Sequence, residues 1–182
     1  MTTIERPAAT EYAPYFAGYV GHVPDPDILA ALEAQPAELR AWARAVPAEK
    51  ELFRYAPDKW SPRQVVGHLS DGERVFGYRA FAVGRGDTAA LPGYDEGAYM
   101  ARARFDERTL SDLVDEFAHL RAGNLIVMRS FTADDWRNVG NANGAPISTR
   151  ALAWIMVGHV RHHLDGLRTR YGLEPATGGA AR

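Results

Sequence analysis

Four stretches of this chain repeat apolar residues at steps of three and four. No stretch alternates polar and apolar residues for long enough to argue a strand. Helices with one apolar stripe must bury it against one another, so the expected fold class is all-α, a four-helix bundle. The first stretch, "DILAALEAQPAELRAWARAV", opens on Asp27 as a capping residue and carries Ile28, Leu29, Leu32, Leu39, Trp42 and Val46. Pro36 interrupts it, which predicts a kink or two abutting helices. The second starts at "WSPRQVVGHL": Ser61 caps, Pro62 fills the first turn, and Gln64 completes an S-x-x-Q capping box. Gly84 and Gly86 end it. The third is "TLSDLVDEFAHLRAGNLIVMRSF". The fourth, "TRALAWIMVGHVRHHLDGLRTRYG", is capped by Ser148 and stopped by Gly172. Residues 86–108 form a long connection with a helical turn around "DEGAYMARA". Its length suits a crossover between the second and third helices.

A chain of 182 residues suffices for one domain with a full core, and residues 1–182 are read as one. Four prolines in residues 1–26 forbid a long helix there. The tyrosines interspersed among them suggest an extended arm packed over an apolar surface. Residues 174–182 read as a disordered tail. A net charge of −2 argues against a nucleic-acid partner. No apolar run approaches a membrane span of about 20 residues. The N-terminus lacks a leader pattern, which makes the cytoplasm the default location. There is no cysteine, which excludes disulfides, thiolate ligands and a cysteine nucleophile. Any metal must therefore be held by histidine nitrogen and carboxylate oxygen.

Half of the six histidines lie in "GHVRHHLDGL". On an ideal helix His159 and His163 differ by about 40°, and His159 and His162 by about 60° the other way, so either pair could chelate. The apolar stripe Leu152, Ile155, Met156 continues through His159 and His163 to Leu167, which turns that pair inward and His162 toward solvent. The plainer reading is a solvated pair. His68 is a third candidate, on the stripe between Val65 and Gly72, where a histidine bonded to a backbone carbonyl would also fit. Gly67, Gly72 and Gly158 flank these positions and would make room either for an ion and substrate or for close helix packing. Asp71 shares a face with His68 as orienter, proton acceptor or extra ligand, or as a solvated carboxylate. Glu73 points away from His68 and reads as structural, paired with an arginine. The tryptophans read as core or pocket wall.

The blocks "KWSPRQVVGHLSDGERVFGYRAFAVGRGD" and "WRNVGNANGAPISTRALAWIMVGHVRHH", with the Tyr-rich lead-in, resemble the DinB-like family of metal-binding four-helix bundles over residues 12–171. That resemblance implies a His in the second helix with H-x-x-x-H in the last, here His68, His159 and His163, as ligands of a divalent ion. Nickel or zinc is the expected metal, with manganese or iron as further options. It also implies a metal-dependent enzyme, either a hydrolase using bound water or a transferase using a bound low-molecular-weight thiol, on a small-molecule substrate. The alternative is a non-catalytic metal-binding or sensing bundle, or a structural bundle whose histidines are incidental. The family often pairs, and a homodimer burying the Tyr-rich N-terminal surface is expected.

Overall fold

The computed structural model describes residues 4–173. Seven α-helices are described: α1 (Ala17–Gly21), α2 (Ile28–Ala45), α3 (Pro62–Gly84), α4 (Glu96–Arg102), α5 (Leu110–Arg129), α6 (Ala133–Arg137) and α7 (Thr149–Thr169). Three short strands accompany them: β1 (Ala90–Leu91), β2 (Val139–Ala142) and β3 (Ala145–Ser148). The four long helices form the bundle, and each starts where its cap sits. The Asp27 side chain accepts from Ala30 N–H, Ser61 from Gln64, Thr109 from Asp112, and Ser148 from Ala151. The Ser61–Gln64 box closes in both directions. At the other end of α3, Gly86 takes a positive φ of 81°. Its N–H reaches Val83 O while Asp87 N–H reaches Ala82 O, a Schellman stop that needs a residue free of Cβ strain.

Side-chain pairs fix the directions. Arg63 meets Asp106 O, Arg74 meets Glu116, and Arg85 meets Ser130, so α3 and α5 run parallel. Glu33–Arg129 and Arg40–Asp115 make α2 antiparallel to α5. Gln35 on Val157 O and Trp42 on Leu173 O make α2 parallel to α7. The order is thus up, down, down, up, with α2 and α3 on one diagonal of the bundle and α5 and α7 on the other. Because α3 and α5 are parallel neighbours, the chain must return along the bundle between them. Residues 85–109 make that crossover, as their length predicted.

Three expectations change. Pro36 lies inside one continuous helix rather than between two. Residues 139–148 form a hairpin, closed by Asn143 (φ 54°) and Gly144 (φ 77°) in a two-residue turn of the primed type. β1, from the crossover, adds in parallel to β2 and ties the crossover to the hairpin. The N-terminal arm is not extended. It is a run of single turns, Ala9–Glu11, Pro14–Phe16 and α1, lying on α7. The expected tail at 174–182 lies outside the described residues.

The core has two apolar halves. One holds Ile28, Leu32, Phe76, Val83, Met128 and Trp154; the other holds Leu39, Trp42, Leu69, Leu113, Phe117 and Leu164. Between them, every long helix contributes a buried polar side chain: Gln35, Glu73, Arg121 and His159. Arg121, 0% exposed, makes a two-pronged ion pair with Glu73, both contacts 2.8 Å. It also donates to Gln35 Oε1 at 2.8 Å. Glu73 is therefore structural and arginine-paired, as its helical angle predicted. No described helix is long and apolar enough to cross a membrane.

Candidate metal centre

The polar layer opens at one edge into a histidine cluster. α3 delivers His68, and α7 delivers His159 and His163 one turn apart. One ring nitrogen from each lies within 4.8 Å of the others. His68 Nε2 and His159 Nε2 are 3.0 Å apart. His163 Nε2 is buried and has no hydrogen-bond partner. Three donors at 2.0–2.1 Å from a tetrahedral ion would sit about 3.3 Å from one another, so the His68–His159 pair already has the required spacing. The orphaned His163 nitrogen is the feature a ligand would explain, because a buried polar atom without a partner is costly. The residues present fit a three-imidazole divalent site.

Electrostatics keep the rings neutral. Burial pushes the His68 pKa down to about 4. His159 and His163 are held well below their ordinary value, first by burial and then by one another. A neutral imidazole is the form that binds metal. Aromatic rings hold the geometry from outside. Trp60 lies 4.9 Å from His68, Tyr19 5.4 Å from His159 and Phe76 5.5 Å from His159, measured between ring centroids. His162 is exposed, packs between Tyr19 and His22 with its ring 5.2 Å from that of His163, and is not one of the three whose ring nitrogens converge.

Of the flanking glycines, two serve packing. A Cβ at Gly67 would strike the Phe105 ring, and one at Gly158 would strike the Tyr19 backbone. Only Gly72 serves the centre itself, since its Cβ would sit 2.7 Å from His159 Cε1. Asp71 does not join the cluster. It is half-buried, 3.8 Å from Arg74, and its pKa is raised mainly by burial.

Two clefts meet the cluster from different sides. One, of about 380 Å³, reaches His159 and is walled by Tyr19, Phe16, Phe76, Tyr94 and Arg79. The other, of about 480 Å³, reaches His163 and is walled by Trp60, Lys59, Tyr171 and Arg170. Glu96 of α4 lines both. The sequence marked the crossover by its length but set none of Tyr94, Glu96 and Arg79 apart. The loop's length was the available signal for the first two. Arg79 falls at helical spacing after Phe76 in the second helix, and nothing in the sequence distinguishes it there.

Residues 31–165 match the family model described as the DinB superfamily. No curated protein is significantly similar in sequence. Among solved structures, YfiT from Bacillus subtilis is similar at a TM-score of 0.71 and 19% identity, over 93% of this chain and 95% of that one. It is described as "a probable metal-dependent hydrolase with an unusual four-helix bundle topology". A mycothiol-dependent maleylpyruvate isomerase is similar at 0.62 and 12% identity, over 80% of this chain and 62% of that one. A DinB-like protein, YjoA, also from Bacillus subtilis, is similar at 0.55 and 13% identity, over 79% of this chain and 88% of that one.

Proposed function

The chain belongs to the DinB superfamily, and from that premise we propose that it is a metal-dependent enzyme acting on a small molecule. His68, His159 and His163 are its ligands. The observation that carries this reading is a triad of neutral imidazoles, His68 and His159 buried and His163 half-buried, that two substrate-sized clefts reach from outside. A sealed cage would suit a purely structural ion. Three protein ligands leave coordination positions open. A donor set of imidazole nitrogens with no carboxylate favours nickel or zinc over harder ions. When bound, the ion supplies Lewis acidity toward a water, a thiol or an electrophile.

The chain's own residues do the rest. Phe76, Tyr19 and Trp60 keep the imidazoles from bulk water. Glu96 is exposed and common to both clefts, which suits a carrier of protons between a substrate and solvent. Asp71 is the competing candidate for that role, one turn from His68. Glu96→Gln and Asp71→Asn separate the two: the carrier's variant loses turnover at unchanged metal content.

The second cleft favours group transfer over hydrolysis. Hydrolysis needs one organic molecule, whereas thiol transfer or thiol-dependent isomerisation needs room for two. Metal-loaded protein assayed with esters and amides, and with electrophiles plus a low-molecular-weight thiol, decides between them. Turnover that requires the thiol supports transfer. Turnover of esters or amides without it supports hydrolysis. No turnover of either, with metal bound, leaves a metal-binding bundle.

A further inference from the structure

Among the described residues two arginines are buried, and only one of them faces an anion. Arg121 faces the Glu73 carboxylate. Arg79, 5% exposed, has no carboxylate partner among the described residues. Its single hydrogen bond runs from Nη2 to Pro92 O at 2.7 Å. A neutral amide side chain could make that bond. The positive charge needs another reason, because burying an unpaired ion costs several kcal/mol. Desolvation depresses the Arg79 pKa, and Tyr94 is the one group whose charge would oppose it. Tyr94 is itself a neutral phenol whose pKa burial raises.

Arg79 lines the cleft that ends at His159. It lies on α3 one turn beyond Phe76, the ring packed on His159. The cleft's walls between them are aromatic, from Phe16, Phe76 and Tyr94. Asp95 and Glu96 share the cleft. Asp95 is occupied in capping α4 through Ala98 N–H, and neither is among the charges that act on Arg79. A guanidinium presents five donors, and one is used, so it is free to grip a planar anion with two parallel bonds.

We propose that Arg79 anchors an anionic group, and that the organic substrate of the histidine centre is a small carboxylate with an apolar or aromatic body. The anchor sets the substrate's orientation, with its acid on Arg79 and its reacting end toward His159. This deepens the enzymatic reading above and rests on it for the reaction, but the anchor itself acts without metal.

The test therefore begins with metal-free protein. Phenylacetate, hexanoate and benzoate are each titrated against their amides by calorimetry, on wild type, Arg79→Gln and Arg79→Lys. At least one carboxylate is expected to bind about tenfold or more tightly than its amide, as a charge-assisted pair allows. Arg79→Gln removes that preference and Arg79→Lys keeps part of it. Equal binding of acids and amides by wild type, or no binding of either, overturns the proposal without needing a variant. So does a preference that appears only after metal loading and survives Arg79→Gln, because the acid then sits on the ion. If the Arg79-dependent preference holds but the protein takes up no metal, the anchor stands and the metal reading falls.

Discussion

Pro36 has no N–H to give the carbonyl of Leu32, four residues back in the same helix. Arg121 fills that vacancy: its Nη1 donates to Leu32 O at 3.2 Å while its other nitrogens hold Glu73. One buried cation thus joins α2, α3 and α5 and tolerates a proline that would otherwise break the first. An arginine partner for Glu73 was legible in sequence, but neither its identity nor its bond to Leu32 was, because an arginine on a helix reads as surface until its tertiary partners are known. The gathering of His68, His159 and His163 was legible, because an apolar stripe that runs through polar residues turns them toward the core. Removing one partner of the ion pair strands the other charge. Glu73→Ala should lower unfolding free energy by about 3–5 kcal/mol in urea titration. A drop below about 1 kcal/mol would show that solvent reaches Arg121. Gly158→Ala tests a different constraint. Its Cβ meets the Tyr19 backbone, which cannot swing aside like a side chain. We expect a loss of about 1–3 kcal/mol, read the same way.

Among the elements, caps and stripes gave all four long helices nearly to the residue, since those signals are local. The sheet was missed because its strands are two and four residues long, too short for alternation to register. The Asn143–Gly144 pair was the signal that could have found it. The arm was misread as extended because its prolines exclude long helices but not single turns. What holds it is Glu11, whose carboxylate receives Ser148 Oγ–H at 2.7 Å and Arg150 Nε–H at 2.8 Å. Tyr12 is buried and Phe16 and Tyr19 are half-buried within this chain, so the tyrosines no longer argue for a second copy; Tyr15 is the exposed exception. Arg150 holds the Glu11 pKa down at about 2. Its folded value lies below the ordinary 4.5, so the clamp is complete above pH 4.5 and is lost as pH falls from there toward 2. Glu11→Gln should loosen the arm at neutral pH. Amide exchange in α1 should rise while that of α3 and α5 stays unchanged. Unaltered exchange in α1 would mean that the aromatic contacts alone hold the arm.

Across the whole molecule, the bundle carries a cluster of imidazoles that its own burial keeps unprotonated. In metal-free protein this sets a pH dependence with a definite sign. The unfolded chain protonates these histidines below the ordinary value of 6.5, and the folded one holds His68 neutral down to about 4. The unfolded state therefore binds more protons in that window, and stability falls as pH drops from 6.5 toward 4. His68 alone contributes about 3 kcal/mol to that loss by pH 4. Urea titrations of metal-free protein across the window read it. His68→Ala should flatten the slope, and an unchanged slope would assign it to other groups. Divalent metal opposes the trend where it binds, so added zinc or nickel should raise the melting temperature at pH 8 and do far less at pH 5. A shift equal at both pH values would point to carboxylate ligands. The central claim, that His68, His159 and His163 together hold one ion, is tested most directly by metal content. Protein loaded with nickel or zinc, desalted and analysed for its elements should carry one ion per chain in wild type and in His162→Ala. Folded His68→Ala, His159→Ala and His163→Ala should carry none. A stoichiometric ion in any of those three, or its loss from His162→Ala alone, would contradict the account.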